Sequence, residues 1–415
     1  MVQAKGKLLA VVAAAMMVAG ACGSTSKSGT AGNASAGGGN TGHTYTIGVL
    51  TDLTGPAASG NKTIVQGIEA GRVLAKREGY NINYVVADTA TSPGGALSAA
   101  QKLVQQNHVF AVVLHSALGF AAAPYLTQHN IPVIGAAEDG TEWQTSTNMF
   151  GVYGAVHTEV VSTTTGQFFK NQGVTTVGAL GYSISPSSSE AAQAAAKSAQ
   201  YLGLKVGYVN AAFPFGSTNV APEALQMKSK GVDGFTATVD PNTSFALITA
   251  LRQAGANLKV ALLPTGYGGD LLQAGPGALQ EAQNVYFTLT YEPVEMHTAA
   301  TQQFQSDLQS VGVTDEPTYA EYNGYLSVAL FVKGVNAAGS HPTQASLIAA
   351  LSKVHDWDAM GLVGTHHIDI NNRASSGMTN CQWVTKLSGN SFQLVPGADP
   401  ICGTLIPGLT VSPAS

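Results

Sequence analysis

The sequence predicts an α/β protein with parallel central sheets, built as two units in series. Short apolar segments with the composition of buried strands alternate with amphipathic segments that have helical spacing. The alternation begins near Tyr45 and starts again near Thr158, although no exact repeat links the two halves. The chain has 415 residues, 45% hydrophobic and 10% charged, which is enough for about two domains.

Strand and helix segments alternate regularly through residues 45–290. The expected strands are TIGVL, INYVVAD, VFAVVLH and IPVIGA in the first unit, then TTVGAL, LKVGYV, GFTATV, VALLP and VYFTL in the second. The expected helices are 62–78, 93–106, 119–129, 158–170, 188–201, 220–228 and 242–254. Short apolar strands between helices are typical of a parallel sheet covered on both faces.

Three long helices then interrupt the pattern, at 297–311, 319–338 and 343–353. No new sheet is expected between 291 and 355, so the apolar stripes of these helices must cover a sheet that already exists. The simplest account returns them to the first unit. Strand composition reappears at the end of the chain, in MGLVGTHHIDI, CQWVTKLSG and SFQLV.

The N-terminus has the pattern of an export signal. Lys5 and Lys7 precede an apolar run at 8–18, and small residues follow at 19–21. The run is too short to span a bilayer. We therefore expect a signal peptide over residues 1–21.

Cys22 directly follows the small residues, which resembles the lipobox of bacterial lipoproteins. Ala19 departs from that motif, in which a large aliphatic residue is usual. Residues 23–44 contain no large apolar side chain, so they are expected to form a flexible tether. The resemblance implies lipidation of Cys22 and anchoring of the protein to the cell membrane on its extracytoplasmic face. The alternative is ordinary secretion with Cys22 as an incidental thiol.

The other two cysteines, Cys381 and Cys402, lie close together near the C-terminus. In an exported protein, a disulfide between them is the economical interpretation. Two buried reduced thiols are the alternative.

Composition and motifs argue against several classes of function. The 19 basic and 24 acidic residues give a net charge of −5, so no basic surplus favours nucleic acid. The spacing G-x-S-x-G, a P-loop, a dinucleotide fingerprint and H-E-x-x-H are all absent from the sequence. His366 and His367 would point to opposite faces of a strand and could not readily share a metal. We expect no catalytic residue, no metal and no cofactor.

Ligands of open α/β sheets bind beyond the carboxyl ends of the strands. That rule selects Asp52, Thr54, His115, Ser116, Ala137, Glu138 and Asp139 in the first unit, and Tyr182, Ser183, Asp240, Thr265 and Tyr267 in the second. Ser116 and Asp240 are also placed to cap the helices that follow them, and capping is compatible with ligand binding. Trp143 could stack on a ligand, but the sequence favours a place in the core.

Longer segments together resemble a known family. They are YTIGVLTDLTGPAASGNKTIVQGIEAG, VVAD, AVVLHSALGFAAAPYLTQHNIPVIGAAED and PTYAEYNGYLSVALFVKGVNAAG, in this order and after the tether. The chain is thereby similar to the type I periplasmic binding proteins of ABC importers, and among these to the leucine/isoleucine/valine-binding group. The resemblance implies two Rossmann-like lobes, joined by three crossovers and closing over a ligand in the cleft.

The resemblance also assigns segments to the lobes and residues to the ligand. Lobe one would hold 45–157 and 291–365, and lobe two 158–290 and 366–415. Ser116 and Ala137 match pocket positions of the family, whereas Asp139 stands where a threonine is usual. The ammonium-binding tyrosine and glutamate of lobe two have no match, since Ser187 and Thr265 occupy the nearest positions. The expected ligand-binding residues are Ser116, Ala137, Asp139, Tyr182, Asp240, Thr265 and Tyr267.

The leading hypothesis is a lipid-anchored, monomeric substrate-binding protein without enzymatic activity. It would capture a small polar or amphipathic, amino-acid-like solute and deliver it to an ABC permease. Ser116 and the N–H groups before Gly119 would hold an anionic or carbonyl group, and Asp139 and Asp240 a cationic or donor group. A ligand sensor of the same fold is the alternative, and an exported α/β hydrolase is less favoured because the nucleophile motif is absent.

Overall fold

The computed structural model describes residues 43–137, 140–273, 276–282, 285–376, 380–396 and 399–414. The expected signal peptide, Cys22 and nearly all of the tether lie outside these residues, as do Glu138 and Asp139. Within the described part of the chain, no helix is long and apolar enough to cross a membrane.

The first sheet is parallel, with the strand order β2-β1-β3-β4-β5. Its strands are β1 His43–Thr51, β2 Tyr80–Asp88, β3 Ala111–His115, β4 Val133–Gly135 and β5 Met149–Gly151. The helices between them are α1 Ala58–Asn61, α2 Ile64–Arg77, α3 Pro93–Gln101, α4 Ala123–Gln128 and α5 Glu142–Thr145. A π-helical segment, Lys102–Gln106, and a 3-10 turn, Gly119–Ala121, complete the connections.

The second sheet has the order β13-β12-β11-β10-β9-β7-β8, with β14 paired to β12. Strands β7 to β11 are parallel, and β12 and β13 extend the edge in antiparallel register. Its strands are β7 Thr176–Tyr182, β8 Lys205–Phe213, β9 Gly234–Thr238, β10 Val260–Leu263, β11 Val285–Leu289, β12 Cys381–Ser388, β13 Ser391–Leu394 and β14 Ile401–Cys402. Strands β6 Val160–Ser162 and β15 Leu405–Thr410 pair with each other in a separate two-stranded sheet. The helices are α6 Thr164–Asn171, α7 Pro186–Tyr201, α8 Ala221–Ser229, α9 Pro241–Gln253, α10 Gly269–Gln273 and α11 Pro276–Glu281.

The long helices that follow belong with the first sheet. They are α12 Ala299–Ser310, α13 Tyr319–Ala337 and α14 Gln344–Leu351. Helix α13 packs on strands of this sheet, α12 on α2, and α14 on α13. Helix α13 begins with a capping box of Thr318 and Glu321, is buried along most of its length, and lies against α2, β3 and β4. Helices α2 and α13 approach each other closely because each has a glycine at the contact. A Cβ at Gly67 or at Gly324 would collide with the backbone of the other helix. Arg77 on α2 and the buried Asp307 on α12 form a bidentate ion pair.

Two lobes can therefore be defined by their sheets. The first lobe comprises β1 to β5, α1 to α5 and α12 to α14, and the second comprises β7 to β14 and α6 to α11. The chain passes between them after β5, after β11 and before β12. Boundaries at residues 157, 290 and 365 remain predictions.

The connecting segments are hydrogen-bonded to one another. His157, after β5, lies with Nε2 3.0 Å from the carbonyl oxygen of Arg373, and its backbone N–H donates to Ser376 Oγ at 3.2 Å. Glu292, after β11, donates its backbone N–H to the Leu362 carbonyl at 2.7 Å. Segments far apart in sequence thus form one joint beside the cleft.

Two predicted segments differ from the structure. The segment MGLVGTHHIDI forms no extended strand: Ala359–Gly361 is a 3-10 turn, and only Ile368 forms an isolated bridge, to Trp357. Positive φ angles at Met360, Gly361 and Gly364 are incompatible with an extended strand. The predicted helix 158–170 begins only at Thr164, because β6 pairs with the distant β15.

Candidate functional site

A cavity of about 450 Å³ lies between the two lobes, a size typical of small-molecule sites. Its first-lobe wall includes Ala57, Gly60, Asn61, Ala117, Ala137, Tyr153 and Tyr319. Its second-lobe wall includes Tyr182, Ser185, Ser188, Phe215, Thr236, Asp240, Leu262, Thr265, Asp270 and Gln382. Because strand residues such as Leu262 take part, the cavity reaches from the cleft onto one face of the second sheet.

The lobes contact each other beside this cavity. Gly216 of the second lobe packs so closely on Pro56 of the first that a Cβ at Gly216 would overlap the proline ring. Gly269, at the start of α10, donates its backbone N–H to the carbonyl of Glu316, before α13, at 2.8 Å. The two lobes are therefore in direct contact in this structure.

The first-lobe wall rests on the buried carboxylate of Asp52, which directly follows β1 and is 0% exposed. Ser116 Oγ donates to Asp52 Oδ1 at 2.7 Å, and Thr89 Oγ1 donates to the same oxygen. Asn61 Nδ2 and the Ala117 N–H donate to Asp52 Oδ2 at 2.7 and 2.8 Å. Four donors from three separate segments of the chain therefore converge on one carboxylate beneath the cavity surface.

The second-lobe wall contains Asp240, which is 8% exposed. As predicted, Asp240 is the N-cap of α9: its Oδ1 accepts from the Thr243 N–H at 3.0 Å, and Pro241 follows at the first helical position. Its Oδ2 accepts from Thr243 Oγ1 at 2.9 Å and from the Tyr182 hydroxyl. Burial, together with the Asp240 charge, raises the pKa of Tyr182 far above its usual value.

The serine cluster before α7 stabilises the start of that helix. Ser185 is the N-cap and accepts from the Ser188 N–H at 3.3 Å. Ser188 Oγ accepts from the Tyr182 N–H at 2.8 Å and donates to the Thr238 carbonyl. The segment between β7 and α7 is therefore a polar strand-to-helix loop with a serine N-cap.

Ala137, Tyr182, Asp240 and Thr265, four of the residues expected to bind the ligand, line the cavity, and their contact with a ligand stays a prediction. Thr265 is held by a 2.9 Å hydrogen bond from its Oγ1 to the Val239 carbonyl. Asp139 lies outside the described residues.

Two of the predicted ligand residues do not line the cavity. Ser116 lies beneath its surface, where its hydroxyl is committed to Asp52. The N–H groups of Ala117, Leu118 and Gly119 are likewise paired within the first lobe, with Asp52 or with Ser116. The anion site expected there is therefore already filled by the protein's own carboxylate and loop contacts.

Tyr267 is the second predicted ligand residue that does not line the cavity. It contacts the segment in which the chain passes from the second lobe to the first. Its side chain is buried against Phe392, and its hydroxyl donates to Glu295 Oε2 at 2.7 Å, in the segment that follows β11. Burial raises the pKa of Glu295 to about 7, and burial likewise raises the pKa of Tyr267. The hydrogen bond between Tyr267 and Glu295 thus connects the loop after β10 with the segment between β11 and α12.

Several lining residues were not selected from the sequence. Asp270, 1% exposed, lies on α10 beyond the glycine-rich loop TGYGG rather than at a strand end. Tyr319 reaches the cavity because α13 returns to the first lobe with its N-terminus at the cleft, and Phe215 follows β8. Trp143 is 2% exposed and belongs to the core, as the sequence favours. In the described residues, no group of three His, Cys, Asp or Glu side chains is placed to hold a metal ion.

The sequence model of the family described as "Periplasmic binding protein" matches residues 44–391. The chain belongs to this family. No curated protein sequence matches the chain.

Solved structures of binding proteins share the fold, which confirms the predicted α/β class with two parallel-sheet lobes. The leucine-binding protein LivK of Thermotoga maritima aligns with a TM-score of 0.70 at 17% identity, covering 84% of this chain and 97% of that one. LivJ of Streptococcus pneumoniae, in complex with isoleucine, aligns with a TM-score of 0.70 at 18% identity, covering 88% and 99%. A solute-binding protein of R. palustris in complex with 4-hydroxybenzoate aligns with a TM-score of 0.69 at 19% identity, covering 87% and 98%.

Proposed function

We propose that this protein is the lipid-anchored, extracytoplasmic substrate-binding component of an ABC importer. It captures a small polar or amphipathic solute between its lobes and delivers it to a membrane permease. The observation that carries the proposal is the cavity between the lobes, lined from both sides in a chain of the periplasmic binding protein family. Because both walls contribute, the full set of contacts forms only when the lobes close.

Structural relatives support a small organic solute. Their bound ligands are isoleucine in one case and 4-hydroxybenzoate in another, both with an apolar body and polar ends. The cavity here has the same mixed character, with Leu262 and Phe215 beside Asp240 and Thr265.

The proposed role is binding rather than catalysis. Ser185 and Ser188, which line the cavity, are committed to the cap of α7 and to backbone groups around it. Turnover of a generic ester that disappears in Ser187→Ala would contradict this and favour a hydrolase.

Native mass spectrometry of freshly purified protein tests the binding role. We expect a co-purified small molecule that is released on denaturation. Small-angle scattering before and after its removal should show a larger radius of gyration without ligand, since the lobes then open. An unchanged radius and no bound molecule would contradict the proposal.

Anchoring is tested separately through Cys22, the proposed acyl acceptor. The wild-type protein should fractionate with membranes, and Cys22→Ser should move it into the soluble fraction or the medium. Wild-type protein that is already soluble would remove the anchor from the proposal and leave the binding role intact.

A further inference from the structure

The cavity has a one-sided charge distribution. Asp240 and Asp270 both contribute to its wall and are 8% and 1% exposed. Among the described lining residues, none is Lys, Arg or His. A ligand that closes this site therefore meets two buried carboxylates and no cationic side chain.

Some of the donors that could hold an anion are also occupied. In the first lobe, the Ala117 N–H and Ser116 Oγ both donate to Asp52. In the second lobe, the N-terminus of α9 donates the Thr243 N–H to Asp240, and Pro241 has no N–H. In the first wall Asp52 accepts these hydrogen bonds, and in the second wall Asp240 does. These donors are therefore not available to a carboxylate of the ligand.

Aromatic rings complete the lining. Tyr153 and Tyr319 come from the first lobe, and Tyr182 and Phe215 from the second, with the last two packed edge to face at 4.7 Å between centroids. The faces of such rings attract organic cations, and the attraction grows when water is excluded. Beyond them, Leu262 and Ala195 provide an apolar surface for the body of a ligand.

We infer that the ligand is a small organic ammonium ion with an apolar body and no carboxylate. This inference rests on the proposed binding function and narrows it. Burying a cation beside Asp240 and Asp270 offsets the cost of desolvating all three charges. A carboxylate in the same place would add a third negative charge to a cavity whose described lining contains no Lys, Arg or His, which discriminates against amino acids and aromatic acids.

Isothermal titration with matched series of compounds tests the inference on ligand-free protein. One series is phenethylamine, L-phenylalanine, 3-phenylpropionate and 2-phenylethanol, and a second replaces the phenyl group by isopropyl. We expect the amine of at least one series to bind, and its acid, amino acid and alcohol to bind at least tenfold more weakly. Failure of both amines, or equal binding by an acid or alcohol, would overturn the assignment.

Substitutions that keep shape but remove charge identify the responsible groups. Asp240→Asn retains a good helix cap, and Asp270→Asn is its counterpart on α10. Each should weaken amine binding by about thirtyfold or more, the usual effect of removing one partner of a buried charge pair. Asp358→Asn is the matched control, because Asp358 is the exposed N-cap of a 3-10 turn and is not among the residues that line the cavity. Unchanged amine affinity in both cavity variants would contradict the inference.

The identity of a co-purified molecule separates this inference from the binding function. A carboxylate or amino acid released from the native protein would contradict the ammonium assignment while supporting solute binding. An amine without a carboxylate would support both. A protein that binds neither class and does not change its radius of gyration would contradict both.

Discussion

The two walls of the cavity use buried carboxylates in different ways. Asp52 in the first lobe has no exposed surface and receives donors from Thr89, Ser116, Asn61 and the Ala117 backbone. Asp240 in the second lobe also accepts internal hydrogen bonds, but it remains part of the cavity surface. Both follow the end of a β-strand, so position in the fold alone does not decide whether a carboxylate supports the scaffold or faces the ligand.

This contrast indicates a division of work between the lobes. The first wall is a scaffold whose polar groups are paired internally, and it offers the ligand mainly Ala, Gly and aromatic surface. The second wall retains charge at the cavity surface. Substitutions on either side, or at the contacts between the sides, test this division.

Removal of the Asp52 carboxylate should have the largest effect on folding. Asp52→Ala leaves four converging donors without their acceptor, and a buried polar group without a partner is costly. We expect a loss of about 4 kcal/mol in the free energy of unfolding, measured by denaturant titration. Asp358→Ala, which removes an exposed carboxylate, should change it by no more than about 1 kcal/mol. If Asp52→Ala also lowers the free energy of unfolding by no more than about 1 kcal/mol, the Asp52 carboxylate is not the support of the first wall that we describe.

The second lobe contains the disulfide, and its removal should have the next largest effect on stability. Cys381 and Cys402 are bonded to each other across the antiparallel pair β12 and β14, next to Gln382 in the second wall. The closed loop spans a sequence separation of 21 residues, and its loss should lower the free energy of unfolding by about 3 kcal/mol in the chain-entropy model. The double variant Cys381→Ser, Cys402→Ser measures this loss. Two alkylatable thiols in the unfolded, unreduced wild type would show that the bond is not formed.

The pH dependence of stability tests the contact between Tyr267 and Glu295. The pKa of Glu295 is raised from 4.5 to about 7 by burial, so the folded protein keeps a proton that the unfolded chain loses. Its contribution is therefore complete below about pH 4.5 and is lost as the pH rises through 7. Relative to Glu295→Gln, the wild type should lose about 2–3 kcal/mol of stability between pH 5 and 8. Glu321, with a pKa also raised to about 7, is present in both proteins and cancels from the comparison. Parallel pH profiles for the two proteins would contradict this role of Glu295.

The smallest expected effect concerns the second wall without ligand. Asp240→Ala removes the N-cap of α9 and should lower stability by about 1 kcal/mol, whereas Asp240→Asn should be nearly neutral. Thermal melting of the ligand-free protein measures both. If Asp240→Ala lowers the melting temperature but leaves affinity for the co-purified molecule unchanged, Asp240 is a cap alone.

Local sequence signals account for most of the strands and for part of the site. Short apolar runs identify β1 to β4 and β7 to β11 because the central strands among them, such as β3, β7 and β10, are buried along their whole length. Strand β6 is only three residues long and forms because β15, more than two hundred residues later, pairs with it. No local pattern contains that information.

The same limit applies to the cavity walls. Asp240 could be selected because Asp followed by Pro is a recognisable helix start. The hydrogen bond from Ser116 to Asp52 could not be foreseen, since it depends on Asp52, Asn61 and Thr89 meeting from three separate segments of the chain. Asp270 was missed because its place in the wall depends on the path of the loop after β10.

The pairing of β6 with β15 has a consequence for the order in which the protein can assemble. The last strand of the chain lies beside the start of the second lobe: Val411 donates its N–H to the Glu159 carbonyl, and Thr163 donates its N–H to the carbonyl of Thr404. Ala414 reaches further, to Ser189 Oγ on α7. A chain synthesised from its N-terminus can thus form the first five strands early, but β6 cannot pair until residues 405–410 of β15 have been made. Residues 405–414 therefore complete the contacts of β6 and of the start of α7, and a substitution that weakens β15 would slow a late step of assembly.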